Sequence, residues 1–293
     1  MKYIHFIINP ISGDGKHNLT KTVLKKYFSD KEFKIEVDYS NYKKHAVILT
    51  KSAITKNPDY IVACGGDGTI SEVASSLINA KIKLGIIPVG SGNGLASNLN
   101  IPKELEQASE IIRNGKTKFI DVGKANDLYF FSNMGIGIDA LIIKKYDNYN
   151  QRTLTSYIRA SIASSIQFKP MKTILSFNNQ IINTNSFLLF ISNSNEMGYG
   201  MSLTPKAILN DGLLDLVLVS ELNFFDKLTL GTRVLSNKIE KFKKAQNALI
   251  EKISIEIPDK ISLDAQIDGE YYNLKTNKIQ VIIIKNGLEV LTN

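Results

Sequence analysis

A run of three glycines around an aspartate is the strongest chemical signal in this sequence: Cys64-Gly65-Gly66-Asp67-Gly68-Thr69. It follows a strand-like apolar run and opens a helix-like stretch that contains Glu72. Glycines let a backbone approach a phosphate closely, and the first amides of a helix point at a bound anion. A carboxylate in such a loop repels phosphate unless a Mg²⁺ ion or a ribose hydroxyl receives it. The run therefore predicts a phosphate site, with a simple tight exit from a strand as the alternative.

Two further loops of small residues stand after apolar runs. They are Asn9-Pro10-Ile11-Ser12-Gly13 and Gly90-Ser91-Gly92-Asn93, the second followed by Gly94. In an open α/β sheet, the loops at the carboxyl ends of the strands converge on one crevice. Three such loops together are far less expected by chance than one, so their combination favours a nucleotide site.

The elements that must position these loops alternate between strand and helix over residues 1–123. Strand-like runs are Tyr3 to Ile8, Phe33 to Tyr39, Tyr60 to Cys64, Leu84 to Pro88 and Phe119 to Gly123. Helical spacing is found at His17 to Phe28, Lys43 to Lys56, Thr69 to Ile78 and Lys103 to Asn114, the last closing on Gly115. This alternation predicts a doubly wound α/β domain with a parallel sheet.

After Gly123 the pattern changes to β-branched and aromatic runs separated by turns. These runs are Leu128 to Met134, Thr173 to Phe177, Ile181 to Ser192, Leu213 to Val219, Ile253 to Ile257, Ser262 to Ile267 and Lys278 to Ile284. They predict an antiparallel β-sandwich over residues 124–293, with helical insertions at 153–166 and 224–242. We expect the two domains to meet in a cleft and the last strand to pack back on the first domain.

Composition sets the class of protein. Of 293 residues, 43% are hydrophobic and 22% charged, which excludes a disordered or coiled-coil chain. The single cysteine, Cys64, forms no internal disulfide, so a reducing compartment, the cytoplasm, is predicted. No run reaches the roughly 18 apolar residues of a membrane span.

The order and spacing of five motifs resemble the diacylglycerol kinase catalytic-domain family, which includes soluble bacterial lipid kinases and the sphingosine and ceramide kinases. The motifs are residues 9 to 13, Gly65 to Thr69 with Glu72, Gly90 to Asn93, Asn210-Asp211-Gly212 and Asp268-Gly269-Glu270. The resemblance implies an NAD-kinase-like first domain, a lipid-binding sandwich, and ATP and Mg²⁺ as cofactors. It also implies that residues 9 to 13, Ser40, Gly66 to Glu72 and Ser91 line the ATP site. Asp268 would then take the proton from the acceptor hydroxyl.

Asp268 is a candidate base without the resemblance as well. The strand-like run that ends at Ile267 delivers Asp268 and Glu270 to the tip of a turn. Phosphoryl transfer needs alignment, charge neutralisation and a carboxylate near the nucleophile. Asp67, Asp268 and Glu270 are therefore the predicted catalytic residues, with an ordinary hairpin turn as the alternative for the last two.

Two departures from the family pattern concern the metal and the acceptor. The resemblance implies a structural Mg²⁺ ion held by Asp211 and the carbonyl of Leu209, but Lys206 stands where such members often carry an acidic residue. A β-turn is the competing interpretation. Gly94 stands where many diacylglycerol kinases have Asp. Sphingosine and ceramide kinases instead have a small residue there, which Gly94 resembles, so the class of acceptor stays open.

The net charge of +8 collects in two clusters of cations. The clusters are Lys144, Lys145, Arg152, Arg159, Lys169 and Lys172, and Lys238, Lys241, Lys243 and Lys244. A helix with such lysines beside Leu235, Ile239 and Phe242 could lie on an anionic bilayer, although charge runs are more often solvated faces. No stacking pattern of aromatic residues accompanies the cations, so nucleic acid is not an expected partner.

The sequence thus predicts a cytoplasmic, peripherally membrane-associated kinase that transfers the γ-phosphate of ATP to a lipid hydroxyl, diacylglycerol or a related lipid. Expected partners are the lipid, ATP and an anionic membrane surface, and a homodimer is left open. A sphingoid-base or ceramide kinase, an NAD kinase and a catalytically silent binding module are the alternatives. The absence of an Asn-Thr-Asp acceptor motif argues against NAD kinase.

Overall fold

The computed structural model describes residues 1–13, 15, 17–149 and 153–293, so Arg152 of the first cluster lies outside the described residues. The chain divides into two compact units. The first is Met1–Ile120 with Asn286–Asn293, and the second is Asp121–Lys285. The predicted fold classes are confirmed, because the first unit has a parallel sheet with helices and the second has antiparallel sheets.

The parallel sheet of the first unit forms from strongly apolar segments. Its strands are β1 (Lys2–Ile8), β2 (Phe33–Tyr39), β3 (Tyr60–Gly65) and β4 (Lys83–Pro88). They pair in the order β2-β1-β3-β4, and Val290 near the end of the chain pairs in parallel with Leu84 of β4. Every residue of β3 is buried, as expected for a central strand covered on both faces.

The helices of the first unit follow the sequence prediction with two exceptions. They are α1 (Lys21–Leu24), α2 (His45–Thr55), α3 (Asp67–Leu77), α4 (Gly94–Asn98) and α5 (Leu105–Asn114). Helix α1 is much shorter than the predicted 17–28, because the amides of Lys26 and Tyr27 bond three residues back and form turns. The short α4 was not predicted, since it follows directly on a glycine-rich loop.

The second unit is a sandwich of two antiparallel sheets. Its strands are β5 (Thr117–Ala125, which begins in the first unit), β6 (Leu128–Phe130), β7 (Asn133–Gly137), β8 (Met171–Phe177), β9 (Gln180–Ser186), β10 (Leu188–Ser192), β11 (Leu214–Val219), β12 (Ala245–Ile250), β13 (Lys252–Glu256), β14 (Leu263–Ile267), β15 (Glu270–Leu274) and β16 (Lys278–Leu291, which ends in the first unit). One sheet has the order β12-β11-β10-β7-β14-β15, and in the other β16, β13, β8 and β9 are neighbours. Ile136 and Leu216 of the first sheet pack with Ile253 and Val281 of the second in one apolar core.

Two predicted strands of this unit are each two strands. The run 128–134 breaks at residues 131–132 into β6 and β7, and the run 181–192 breaks at Phe187 into β9 and β10. The elements β12 and β15 were not predicted. The first break matters for the site, because it turns three consecutive backbone amides away from the sheet ladder.

Helices cover the outer face of the six-stranded sheet. They are α6 (Ile138–Tyr146), which was not predicted, α7 (Leu154–Gln167), and α8 (Phe224–Leu235) with a 3₁₀ turn at Ile239–Lys241. Among the described residues, none of the helices is long and apolar enough to cross a membrane.

The predicted helix over 224–242 is present only as far as Leu235. Helix α8 ends at Leu235, and both Ile239 and Phe242 belong to the apolar core, with 2% and 6% of their surface exposed. Two of the three apolar residues that were expected to face a membrane therefore hold the following turn against the sandwich, and the third, Leu235, is exposed.

Candidate active site

Three loops of small residues lie together in the first unit, at the carboxyl ends of β1, β3 and β4. The Asn9 amide donates to the Cys64 carbonyl at 2.9 Å, and the Val89 amide donates to the Gly65 carbonyl at 3.0 Å. The parallel ladders therefore extend past the last strand residues. As a result, the three loops leave the sheet at the same edge.

The loops approach one another so closely that two positions require glycine. A Cβ atom on Gly90 would lie 2.3 Å from the Gly66 Cα, which no side chain tolerates. Gly13 has a φ of +68°, and a Cβ atom there would lie 2.5 Å from the Val89 carbonyl oxygen. The backbones of the three loops are thus in direct contact.

Side chains add hydrogen bonds between the loops. Asn9 Nδ2 donates to Thr69 Oγ1 at 3.1 Å, and the Gly66 amide donates to Ser12 Oγ at 3.3 Å. In the first turns of α3, Glu72 Oε1 accepts from the Lys44 amide at 2.9 Å, which attaches the start of α2 to this helix. These bonds order the loop backbone around the N-terminus of α3.

Asp67 bonds to the third loop. Its Oδ2 accepts from the Asn93 amide at 2.8 Å and its Oδ1 from the Gly94 amide at 2.7 Å. Asn93 is buried in a left-handed conformation, and its side chain bonds both the carbonyl and the amide of Gly90. The Asp67 carboxylate therefore connects the starts of α3 and α4.

The remaining predicted nucleotide residues differ in exposure. Pro10, Ile11 and Ser91 are exposed, and Gly68 and Gly92 are half-buried. Ser40 is buried, and its amide donates to the Ile8 carbonyl at 2.9 Å. Backbone amides at the start of an 11-residue helix, with glycines before it, make this edge of the sheet suited to a phosphate group.

Asp268 lies in the second unit and accepts hydrogen bonds from three consecutive amides. Its Oδ1 accepts from Ser132 at 2.8 Å and from Asn133 at 3.2 Å, and its Oδ2 accepts from Phe131 at 3.0 Å. The carboxylate is 7% exposed, and Asp268 itself adopts a φ of +47°. The break between β6 and β7 forms this nest, which orients the carboxylate and stabilises its negative charge.

Two polar side chains that the sequence analysis missed support the nest. Gln266 Nε2 donates to Asn133 Oδ1 at 2.7 Å, and Gln266 Oε1 accepts from the Gly269 amide at 2.9 Å. The Asp268 amide donates to the Asn133 carbonyl at 2.9 Å. Two sequence signals could have identified these side chains. Gln266 is a polar residue at a buried strand position, and Ser132-Asn133 is a polar interruption of an apolar run. Glu270 begins β15 half-buried, opposite Ile267.

Two family models together match most of the chain. The diacylglycerol kinase catalytic domain matches residues 3–125, which hold the three loops. The YegS C-terminal NAD kinase beta sandwich-like domain matches residues 132–285, which hold Asp268. The chain belongs to the diacylglycerol kinase catalytic-domain family.

Relatives in this family of diacylglycerol and lipid kinases are distant. A diacylglycerol kinase of Bacillus subtilis is 27% identical over 280 residues, covering 92% of this chain and 90% of its own. A protein of Pectobacterium atrosepticum described as a probable lipid kinase, YegS-like, is 27% identical over 245 residues, covering 79% of this chain and 78% of its own.

Solved structures share the fold. A diacylglycerol kinase from Bacillus anthracis str. Sterne has a TM-score of 0.71 at 18% identity, covering 100% of this chain and 97% of its own. A second structure from that organism has a TM-score of 0.80 at 19% identity, covering 100% of this chain and 95% of its own.

The structural Mg²⁺ ion that the family resemblance implied does not suit the residues present. The Leu209 carbonyl accepts from the Asp121 amide at 2.7 Å, and Asp211 Oδ1 accepts from the Leu213 amide at 3.0 Å. Lys206 stands where an acidic ligand was expected. In the described part of the chain, no group of three or more His, Cys, Asp or Glu side chains could hold a metal. The turn at Asp211 is held by protein groups.

Asp121 holds that turn and was missed by the sequence analysis. Its Oδ2 accepts from the Gly212 amide at 2.7 Å, and its carbonyl accepts from Asn193 Nδ2 at 2.7 Å. It is 1% exposed, and a charged residue inside the apolar run 119–123 was the available signal. Nearby, burial and the negative charge of Asp211 raise the pKa of Asp215 to about 6.

A further buried carboxyl group lies at the start of α6. Asp139 is 5% exposed, and its Oδ2 has no hydrogen-bond partner. Burial raises the pKa of Asp139 to about 6, and a hydrogen bond with Gln266 opposes this shift. Through Gln266, the Asp139 carboxyl group connects α6 to the residues that support Asp268.

Replacing Asp139 with Asn is expected to stabilise the protein at pH 7.5. The folded-state pKa is raised, so the native state binds the proton more tightly than the unfolded state. The loss of folding free energy caused by the buried Asp139 charge is therefore absent at pH values below the unfolded-state pKa near 3.8. It reaches its full size at pH values above the folded-state pKa of about 6. A shift of this size corresponds to about 3 kcal/mol at most. Urea unfolding of both proteins at pH 7.5 and pH 4.5 should show a gain that shrinks at the lower pH, and an equal gain at both would contradict titration of Asp139 as its cause.

Proposed function

We propose that this chain transfers the γ-phosphate of ATP to a hydroxyl group of a membrane lipid, with diacylglycerol as the first candidate acceptor. The observation that carries the proposal is the convergence of three small-residue loops at one sheet edge. Asp67 bonds the second loop to the third through both carboxylate oxygens, and Asn9 and Ser12 bond the first loop to the second. Membership in a family of diacylglycerol and lipid kinases supports the same reaction.

In this proposal the first unit binds the nucleotide. The amides at the start of α3 and the glycine backbones would surround the phosphates, where positive partial charge stabilises the transferring group. Asn9 and Ser12 would keep the first loop in place, since each bonds to the loop that carries Asp67. Mg²⁺ would enter as part of the nucleotide complex and neutralise phosphate charge.

The second unit would bind the lipid acceptor and supply the base. The lipid oxygen forms a bond to the γ-phosphorus while the bond to the β–γ bridging oxygen breaks, and ADP leaves with that electron pair. The hydroxyl proton passes to the carboxylate of Asp268. Three amides orient this carboxylate, which limits its motion during the transfer. Glu270, two residues later at the same turn, is the second candidate for the proton acceptor.

A sphingoid base or ceramide is the second candidate acceptor. Gly94 favours it, because this position carries Asp in many diacylglycerol kinases and here contributes only its amide to Asp67. Contact with the membrane surface is part of either proposal, since the acceptor resides in a bilayer.

The test is an acceptor panel. Purified protein is incubated with radiolabelled ATP, Mg²⁺ and mixed vesicles that contain diacylglycerol, sphingosine or ceramide, with NAD as a separate acceptor, and products are identified by mass spectrometry. We expect a phosphorylated lipid. Phosphorylation of NAD alone, or ATP binding without transfer to any acceptor, would contradict the proposal.

A further inference from the structure

Two helices of the second unit carry large apolar side chains that are mostly exposed. Ile162 and Ile166 of α7 are 58% and 75% exposed, and Phe224, Phe225 and Leu228 of α8 are 64%, 76% and 54% exposed. We call these five residues the α7/α8 face. Single exposed apolar residues are normal, but a group with two phenylalanines requires an explanation.

The helices are firmly attached by their opposite sides. Ala160 and Ser164 of α7 are buried, as is Leu230 of α8. A capping box fixes the first turn of α8, since Asn223 and Asp226 bond each other's backbone amides. The exposed side chains therefore extend from ordered helices.

The two exposed groups are neighbours. Lys227, in the first turn of α8, donates from Nζ to the Ser165 carbonyl of α7 at 2.7 Å. The same ammonium lies 5.1 Å from the centre of the Phe187 ring, which packs against Phe168 at the end of α7. This contact joins the end of α7 to the start of α8, so the exposed apolar residues of both helices lie in the same part of the second unit.

The two segments that carry this face are rich in positive charge. Residues 153–172 and 221–244 contain nine Lys and Arg against three Asp and Glu, which accounts for most of the +8 charge of the chain. Exposed cations in these segments are Arg159, Lys169, Lys172, Lys238, Lys241, Lys243 and Lys244. One of the three acids, Asp226, is paired with Lys244. An apolar centre with a basic surround is complementary to an anionic bilayer.

We propose that the α7/α8 face inserts into the headgroup region of an anionic membrane and anchors the protein there. The inference rests on the proposed function only in that a lipid kinase must reach a bilayer. Phe224, Phe225 and the isoleucines enter the interface, while the surrounding cations contact acidic headgroups. This arrangement differs from the basic helix that the sequence suggested, because the membrane contact is apolar at its centre and basic only at its margin.

The test compares two double variants that make the same kind of change. The test variant carries Ile166→Ser and Phe225→Ser, both in the α7/α8 face. The control variant carries Ile181→Ser and Ile261→Ser, whose side chains are 71% and 94% exposed outside this face. Binding is measured by flotation with vesicles of phosphatidylcholine containing 30% phosphatidylglycerol, and with phosphatidylcholine alone.

We expect the wild type and the control to bind anionic vesicles more tightly than neutral ones, and the test variant to bind at least about tenfold more weakly. Equal binding by wild type and test variant, or no binding by the wild type, would overturn the proposal. A change from dimer to monomer in the test variant by ultracentrifugation, with vesicle binding unchanged, would assign the face to contact between copies and also overturn it.

A second measurement separates this inference from the proposed function. Phosphorylation of a short-chain diacylglycerol dispersed below its micelle concentration needs no vesicle, so the test variant should retain wild-type activity on it. If the wild type is inactive on every acceptor but vesicle binding behaves as expected, the proposed reaction fails and the membrane face stands. If the wild type phosphorylates a lipid but vesicle binding is the same in the wild type and the test variant, the proposed reaction stands and the membrane face fails.

Discussion

An Asp268→Asn enzyme should turn over its lipid acceptor about 10²- to 10⁴-fold more slowly than the wild type, with ATP affinity nearly unchanged. The amide of Asn is similar in size but does not accept the proton. The Asp268 carboxylate accepts hydrogen bonds from the amides of residues 131–133 in the second unit. The hydrogen bonds described above between the loops of the first unit are made by other residues, so we expect those loops to keep their order. Steady-state turnover and ATP binding by calorimetry measure the two effects.

The nest also requires a control for stability. An Asn NH₂ group would face the Phe131 amide or those of Ser132 and Asn133, and an unsatisfied buried donor costs about 1 to 3 kcal/mol. Asp264→Asn is the matched control, because this carboxylate lies on β14, the strand that leads into Asp268, and accepts bonds from Tyr271 and Asn273. The control should lose stability but little turnover. If Asp268→Asn works within a few-fold of wild type while Glu270→Gln does not, the base is Glu270.

Replacing Asp67 with Asn should weaken ATP binding and reduce turnover together. One of the two amide bonds, to Asn93 or Gly94, is lost and replaced by a contact between two donors. A hydrogen bond to a charged group contributes about 1.5 to 3 kcal/mol, so the ordered loop and the ATP affinity should weaken by a factor of about 10 to 100. Calorimetric titration with ATP and Mg²⁺ measures this change.

Asp59→Asn is the matched control for this prediction. Asp59 Oδ2 also accepts from a backbone amide, that of Tyr3 at 2.7 Å, but it precedes β3 at the other end of the strand. The Asp59→Asn variant should bind ATP as tightly as the wild type. Unchanged ATP affinity in a folded Asp67→Asn protein would show that the connection between the loops does not contribute to nucleotide binding.

Much of the first unit could be read from local patterns. The buried runs that became β1, β3 and β4 are continuous and apolar, and each is followed by a loop of small residues. Helix α5 ends at Gly115, as predicted, because glycine readily takes the left-handed conformation found there. The less accurate predictions were short elements, such as α1, where turn hydrogen bonds replaced helical ones.

The second unit was predicted less completely because its strands are short and its breaks are small. A two-residue break at 131–132 left the apolar pattern almost intact, so one strand was predicted where two exist. The same break presents the amides that bind Asp268. The lysine-rich segment after α8 illustrates the opposite error, since its helical spacing placed Ile239 and Phe242 on a surface when both are buried.

The sequence by itself determined the family motifs, the two fold classes and the presence of carboxylates at loop and turn positions. These depend on residue type, short spacing and the rule that strand ends converge in a parallel sheet. The tertiary structure decided what each carboxylate contacts. Asp67 bonds amides 26 and 27 residues away, and Asp268 bonds amides 135 to 137 residues away. Such partners are chosen by the packing of distant segments, which also decided that the α7/α8 face stays exposed, and no local pattern encodes that choice.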